Sequence, residues 1–142
     1  MPAKLTVDEV QAEVRRFWSA FSGKSPEGLK GFYAGESSVF GSSSTRSEPG
    51  SLAAARRQRE YFTPQTTMKV QLGAIEVVML GESAAVASYT FQFHATKVAN
   101  LLGKAAEEDI KQGRATQVFA RDADGKLRIV HEHLSTVDHL KT

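Results

Sequence analysis

The stretch GRATQVFARDADGKLRIVHEHLS, Gly113 to Ser135, holds two runs of alternating apolar and polar residues around Asp122-Ala123-Asp124-Gly125. Alternation of period two sends successive side chains to opposite faces of a strand. The tetrad between the runs offers short polar side chains and a glycine free to take positive φ, which is what a tight reversal needs. The spacing predicts an antiparallel hairpin, Arg114–Arg121 against Lys126–Val137. Strict alternation further predicts that His131 and His133 share a face with Ile129 and Ser135, while Glu132 shares the other with Val130 and Leu134.

Working back from the hairpin, the period stays near two. TTMKVQLGAIEVVML (66–80) alternates through Met68, Val70 and Leu72, passes a bulge at Gly73, and continues through Ile75, Val77 and Met79. Gly81-Glu82 turns the chain into SAAVASYTFQFHATK (83–97). The segment 98–113 is weakly patterned and reads as a connection.

The N-terminal half has a helical period instead. Thr6-Val7-Asp8-Glu9 is a capping box, flanked by Leu5 and Val10 as a hydrophobic staple. Val7, Val10, Val14, Phe17, Trp18 and Phe21 then form one apolar face, and Gly23 ends the helix. Ser25-Pro26 opens a short helix carrying Leu29, Phe32 and Tyr33. A brief strand at 37–42 and a Ser/Gly-rich loop at 41–50 lead into a helix at 51–62, with Leu52, Ala55, Arg59 and Phe62 along one side. Thr63-Pro64 stops it.

Composition narrows the function classes. The 142 residues are 41% hydrophobic and 24% charged, which suits one globular domain with a packed core. The absence of cysteine excludes disulfides, thiolate metal sites and a cysteine nucleophile. A formal charge of +2 comes with no polybasic tract. Arg56, Arg57 and Arg59 read as a solvated helix face, so no nucleic-acid partner is expected. No stretch approaches the roughly 20 apolar residues that span a bilayer, and MPAKLTVDEV lacks a signal-type run. The expectation is a cytoplasmic protein with no membrane partner.

The succession of capped helix, short helix, strand, third helix and four strands closing on GRATQVFARDADGKLRIVHEHLS resembles the SnoaL-like families of the nuclear transport factor 2-like superfamily. The closing stretch is also similar to the association domain of calcium/calmodulin-dependent protein kinase. The order of elements matches over essentially the whole chain, and residue-level likeness concentrates in Gly81–Ala87 and Gly113–Ser135. The resemblance implies an α+β, cone-like fold over residues 1–142. A strongly curved, mixed but mainly antiparallel sheet would wrap the N-terminal helix, with two further helices alongside. It also implies an internal pocket. Isomerases, dehydratases, polyketide cyclases and purely assembling domains share this fold, so the fold does not choose the chemistry. The kinase association domain lines its pocket with arginines where this chain has Thr90, Gln117 and Leu134. Ketosteroid isomerases need a carboxylate base facing a tyrosine and a protonated acid, and no aspartate here matches that base.

A register taken through Thr90 collects Thr90, Gln92, His94, Gln117 and Glu132 in the cavity. Trp18, Tyr33 and Tyr61 would close it from the helices. Trp18, Tyr33, Tyr61, Thr90, Gln92 and Gln117 are then the ligand contacts, with Glu132 and His94 as catalytic proton-transfer groups, burial favouring a carboxyl that can take or give a proton. The competing reading pairs Glu132 with Arg114 or Arg128 at the rim. Periodicity alone turns Tyr89, Phe91 and Phe93 to the core. A partner sheet reconciles the two registers, which assigns Tyr89, Phe91, Phe93, His131 and His133 to a homodimer interface. A metal on His131 and His133 would need a third ligand such as His94 or Glu76, and neither metal nor cofactor is expected. Two functions remain open: a binder of a small, mostly apolar organic molecule, with acid–base chemistry such as isomerisation, cyclisation or dehydration, and a non-catalytic binding or dimerisation module.

Overall fold

The computed structural model describes residues 4–42, 44–98 and 107–137. Helix α1 (Val7–Ser22) opens with the capping box in place: Thr6 Oγ1 accepts from the Glu9 amide, and Glu9 returns the bond to the Thr6 amide, each at 3.2 Å. Leu5 and Val10 are buried as a staple should be. Val10, Val14, Phe17, Trp18 and Phe21 form the inner face. Val7 stands outside it, 41% exposed.

The short helix expected from Ser25 is a turn followed by a single 3-10 turn at Lys30–Phe32. Strand β1 (Tyr33–Phe40) begins at once, earlier than the sequence suggested. Helix α2 (Gly50–Tyr61) buries Gly50, Ala53, Ala54, Arg57 and Tyr61, and leaves Leu52 52% exposed. The side through Leu52 and Arg59 is therefore not the one that packs. Small residues let α2 lie close on β1, and a row headed by leucine would hold it away.

The remaining strands are β2 (Thr66–Leu72), β3 (Glu76–Met79), β4 (Ala84–Lys97), β5 (Glu107–Arg121) and β6 (Leu127–Thr136). What read as one strand over 66–80 is broken into two at Gly73, and both pair with β4. A Cβ at Gly73 would meet the Thr90 hydroxyl, so any other residue at the break would require the Thr90 side chain to shift. Part of the expected connection at 98–113 is strand, since β5 starts at Glu107; residues 99–106 lie outside the described residues. The hairpin is as its sequence suggests: Gly125 has φ 78°, and Asp122 Oδ1 accepts from the amides of Asp124 and Lys126 at 3.0 Å.

The sheet runs β1-β6-β5-β4-β2, with β3 also on β4; β1 is parallel to β6 and the other pairs are antiparallel. It curves around α1, which packs on β2, β3 and β4, while α2 closes over β1. This is an α+β cone-like fold. One irregularity sets the site. The β5–β6 register shifts between Val118 and Phe119, so Phe119 faces Ile129 while Val118 faces His131. The extra residue is Val130, a β-bulge that reverses facing along β6. Ile129 and Glu132 consequently both point inward and are fully buried, and the strict alternation expected from the sequence holds only beyond the bulge.

Candidate functional site

Inside the cone, Arg57, Gln117 and Glu132 are buried among aromatic rings. Alternation on β4 turns Ala85, Ala87, Tyr89, Phe91, Phe93 and Ala95 inward, each buried. Their partners on β5 include Ala115 and Gln117, and Gln117 faces Glu132 of β6. From the helices come Trp18 and Arg57, and from the start of β1 comes Tyr33.

These groups form one hydrogen-bonded chain. Trp18 Nε1 donates to the Tyr89 hydroxyl at 2.7 Å, and that hydroxyl donates to Gln117 Oε1 at 2.6 Å. Gln117 Nε2 donates to Glu132 Oε2 at 2.7 Å. The Tyr33 hydroxyl donates to the same carboxylate at 2.9 and 3.0 Å. Arg57 Nη1 lies 2.7 Å from Glu132 Oε1 and 2.7 Å from the Tyr33 oxygen. A buried carboxylate needs a counter-charge and filled lone pairs, and Glu132 has both. The pairing is with Arg57, which composition had assigned to a solvated face, and not with Arg114 or Arg128.

The electrostatics follow from burial. Burial pushes the Tyr33 phenol well above its ordinary pKa, with Arg57 opposing and Glu132 reinforcing the rise. Burial raises Tyr89 too, against the bond from Trp18. Burial alone would weaken the charge on Arg57, but Glu132 and Tyr33 outweigh it and hold the guanidinium above its usual value.

Beside this network a cavity of ≈ 140 Å³ opens at the mouth of the cone. Trp18, Tyr61, Phe91, Phe93 and Leu134 give it apolar walls; Arg56, Arg57, Glu60 and Lys111 give it charged ones. Trp18 stacks on Phe91 with centroids 4.9 Å apart, and Tyr61 meets Phe93 edge-on at 5.1 Å. The Tyr61 hydroxyl is held outside the network, donating to Asp109 Oδ2 at 3.0 Å and accepting from Lys111 Nζ at 3.3 Å. Burial, then Asp109, raises its pKa. Arg57 contributes one further feature: its Nη2 is buried and has no hydrogen-bond partner.

Of the residues singled out from sequence, Trp18 and Tyr61 line this cavity. Tyr33, Gln117 and Glu132 stand behind it. Thr90, Gln92 and His94 do not reach it, which corrects the register taken through Thr90. Because Tyr89, Phe91 and Phe93 face inward, their neighbours in the strand must face outward. Gln92 and His94 line a separate open groove on the outer face with Lys69, Gln71, Ile110 and Gln112, and His94 Nε2 is 3.7 Å from Glu108 Oε1. Tyr89, Phe91 and Phe93, assigned to a partner's sheet, are instead packed on α1 and closed to a partner. His131 and His133 do face outward, flanking the Phe40 ring, and Ser38 Oγ bonds His131 Nδ1 at 2.8 Å. Among the described residues, no group of three or more His, Asp or Glu side chains could hold a metal ion. Nor is any helix there long and apolar enough to cross a membrane.

Arg57 is the residue the sequence reading missed. Its signal was the row Gly50, Ala53, Ala54, Arg57 and Tyr61, a small-residue stripe at helical spacing that ends on an arginine and a tyrosine.

No family model matches the chain, and no curated protein does. Solved structures match its fold throughout. A nuclear transport factor 2-like superfamily protein from Salmonella enterica is 22% identical, with a TM-score of 0.71 over 95% of this chain and 93% of that one. The calcium/calmodulin-dependent protein kinase II hub homology domain of Chlamydomonas reinhardtii is 20% identical, with a TM-score of 0.67 over 92% and 98%. A ketosteroid isomerase-like protein from Erwinia carotovora is 13% identical, with a TM-score of 0.70 over 91% and 94%. At these identities the likeness is one of fold.

Proposed function

We propose that the chain binds a small, mostly apolar organic molecule in the cavity at the mouth of the cone. The observation that carries this reading is the aromatic wall of Trp18, Phe91, Phe93 and Tyr61 around ≈ 140 Å³ of space, with a guanidinium at its inner end. A cavity of about 150 Å³ lined by apolar side chains takes a benzene ring, so one ring or its equivalent fits. Aromatic side chains share the lining with Ser42, Arg56, Arg57, Glu60, Lys111 and Thr136, so the site suits a ring that carries a polar group. Glu132 and His94, the proton-transfer candidates, do not line the space, which favours binding over acid–base chemistry there. Glu132 serves as the positioning residue of Arg57. Native mass spectrometry of the purified protein against its denatured mass tests this. A retained organic mass that Trp18→Ala releases supports it. An unliganded protein whose Trp18 fluorescence responds to no single-ring compound would end it.

We also infer a homodimer formed through the outer sheet face. Val78, Val86 and Val118 stand opposite one another across β3, β4 and β5, and His131 of β6 extends the row. Val78 is 62% exposed and Ile110, on the same face, 57%. Apolar rows on a sheet face favour burial against a partner. Light scattering should give twice the chain mass, and Val118→Lys should return the monomer with its fold intact. A wild-type monomer at micromolar concentration would exclude the dimer.

A further inference from the structure

We infer that the cavity selects a ring bearing a carboxylate, with Arg57 Nη2 as the donor that recognises it. This rests on the proposal that the cavity binds a small molecule, and adds the ligand's charge. Arg57 is 94% removed from solvent, from a residual exposure of 6%. Its Nη1 is already committed to Glu132 and Tyr33. That leaves Nη2 buried, charged and unpartnered on a residue that lines the cavity. Buried donors are almost always satisfied, so one that is not marks a place where an acceptor belongs. Nη2 makes no hydrogen bond within the protein that an acceptor would have to displace, and a charged acceptor gains most from it.

The cations that line the cavity are each paired with an acid set behind it. Arg56, Arg57 and Lys111 line it against a single carboxylate, Glu60. The acids that pair these cations, Glu48, Asp109 and Glu132, are not part of the lining. A guanidinium held by Glu132 and Tyr33 is fixed before the ligand comes, which lowers the ordering cost of binding. Trp18 and Phe91 supply the flat wall for the ring.

The test uses benzoate and benzamide, which share a ring and differ in charge. Calorimetric titration, with the fluorescence of Trp18 as a second signal, should give benzoate an affinity at least about tenfold higher in the full chain, or about 1.4 kcal/mol. Arg57→Lys keeps a cation for Glu132 but lacks the second nitrogen, and should bring the two affinities within about threefold of each other. If that variant fails to fold, Arg57→Met with Glu132→Leu removes the buried pair together and should show the same loss of preference. Equal binding of both probes to the wild type overturns the carboxylate and leaves the pocket standing. A benzoate preference that survives the substitutions overturns the role of Arg57. Binding of neither probe overturns this inference and the binding proposal together.

Discussion

Arg57 Nη1 and Glu132 Oε1, from α2 and β6, meet at 2.7 Å inside the cone with both side chains shut off from water. The pair ties the helix that closes over β1 to the strand reoriented by the bulge. Such a pair is costly to break, because removing one charge strands the other. Glu132→Gln should therefore lower the free energy of unfolding by about 3–5 kcal/mol in urea melts. Arg57→Met with Glu132→Leu should cost far less than the two single changes added. A Glu132→Gln protein as stable as the wild type would mean that the pair is not formed in solution.

The Tyr89 hydroxyl joins one donor, Trp18 Nε1, to one acceptor, Gln117 Oε1, and neither atom has another partner in the network. Tyr89→Phe keeps the ring but leaves Trp18 Nε1 without its acceptor and Gln117 Oε1 without its donor. Loss of stability by about 1–3 kcal/mol is expected, the penalty for orphaned buried polar groups. Trp18 is the only tryptophan, so its emission reports the change directly. An unchanged melting curve and unchanged emission would place that indole bond elsewhere.

Close approach of α2 to β1 depends on Gly50. A Cβ there would lie 2.5 Å from both Tyr33 Cδ1 and Ser37 Oγ, inside any normal contact. Gly50→Ala gains helix propensity of about 1 kcal/mol in an isolated helix, yet here it must push α2 or Tyr33 aside. The protein should be destabilised, and any cavity ligand should bind more weakly because Arg57 rides on the same helix. Crystallography or a hydrogen-exchange comparison would find the displacement in Tyr33 and α2. A more stable Gly50→Ala protein would contradict this packing.

Periodicity and turn chemistry made most of the architecture readable: the Thr6–Glu9 cap, the Asp122–Gly125 reversal and the alternation of β4 all follow local rules. The β6 bulge did not, because nothing in Ile129-Val130-His131 distinguishes a bulged residue from a paired one. That single insertion decides that Ile129 and Glu132 face the same way. Inward facing of Tyr89, Phe91 and Phe93 was legible from period two, and the register through Thr90 set it aside in favour of a resemblance. Arg57 was hidden for another reason. An arginine flanked by Arg56 and Arg59 looks like surface, and only the tertiary position of Glu132 gives it a reason to be buried.

The three tyrosines Tyr33, Tyr61 and Tyr89 predict how the fold responds to alkali. All have pKa values raised above the ordinary 10.0, mainly by burial. Below pH 10 the phenols are protonated in both folded and unfolded chains, and their contribution is level. Above it the unfolded chain releases protons that the folded chain retains, so the unfolded state binds fewer protons and stability falls as pH rises. Each tyrosine adds up to about 1.4 kcal/mol of destabilisation per pH unit in that range. Phenolate absorbance should thus appear together with loss of far-ultraviolet circular dichroism, and not before it. Tyr61→Phe should make the alkaline decline shallower, since it removes one such group and keeps the ring against Phe93. Ionisation of all three tyrosines near pH 10 with the fold still intact would show that the phenols are open to solvent and that the network around Glu132 is not closed.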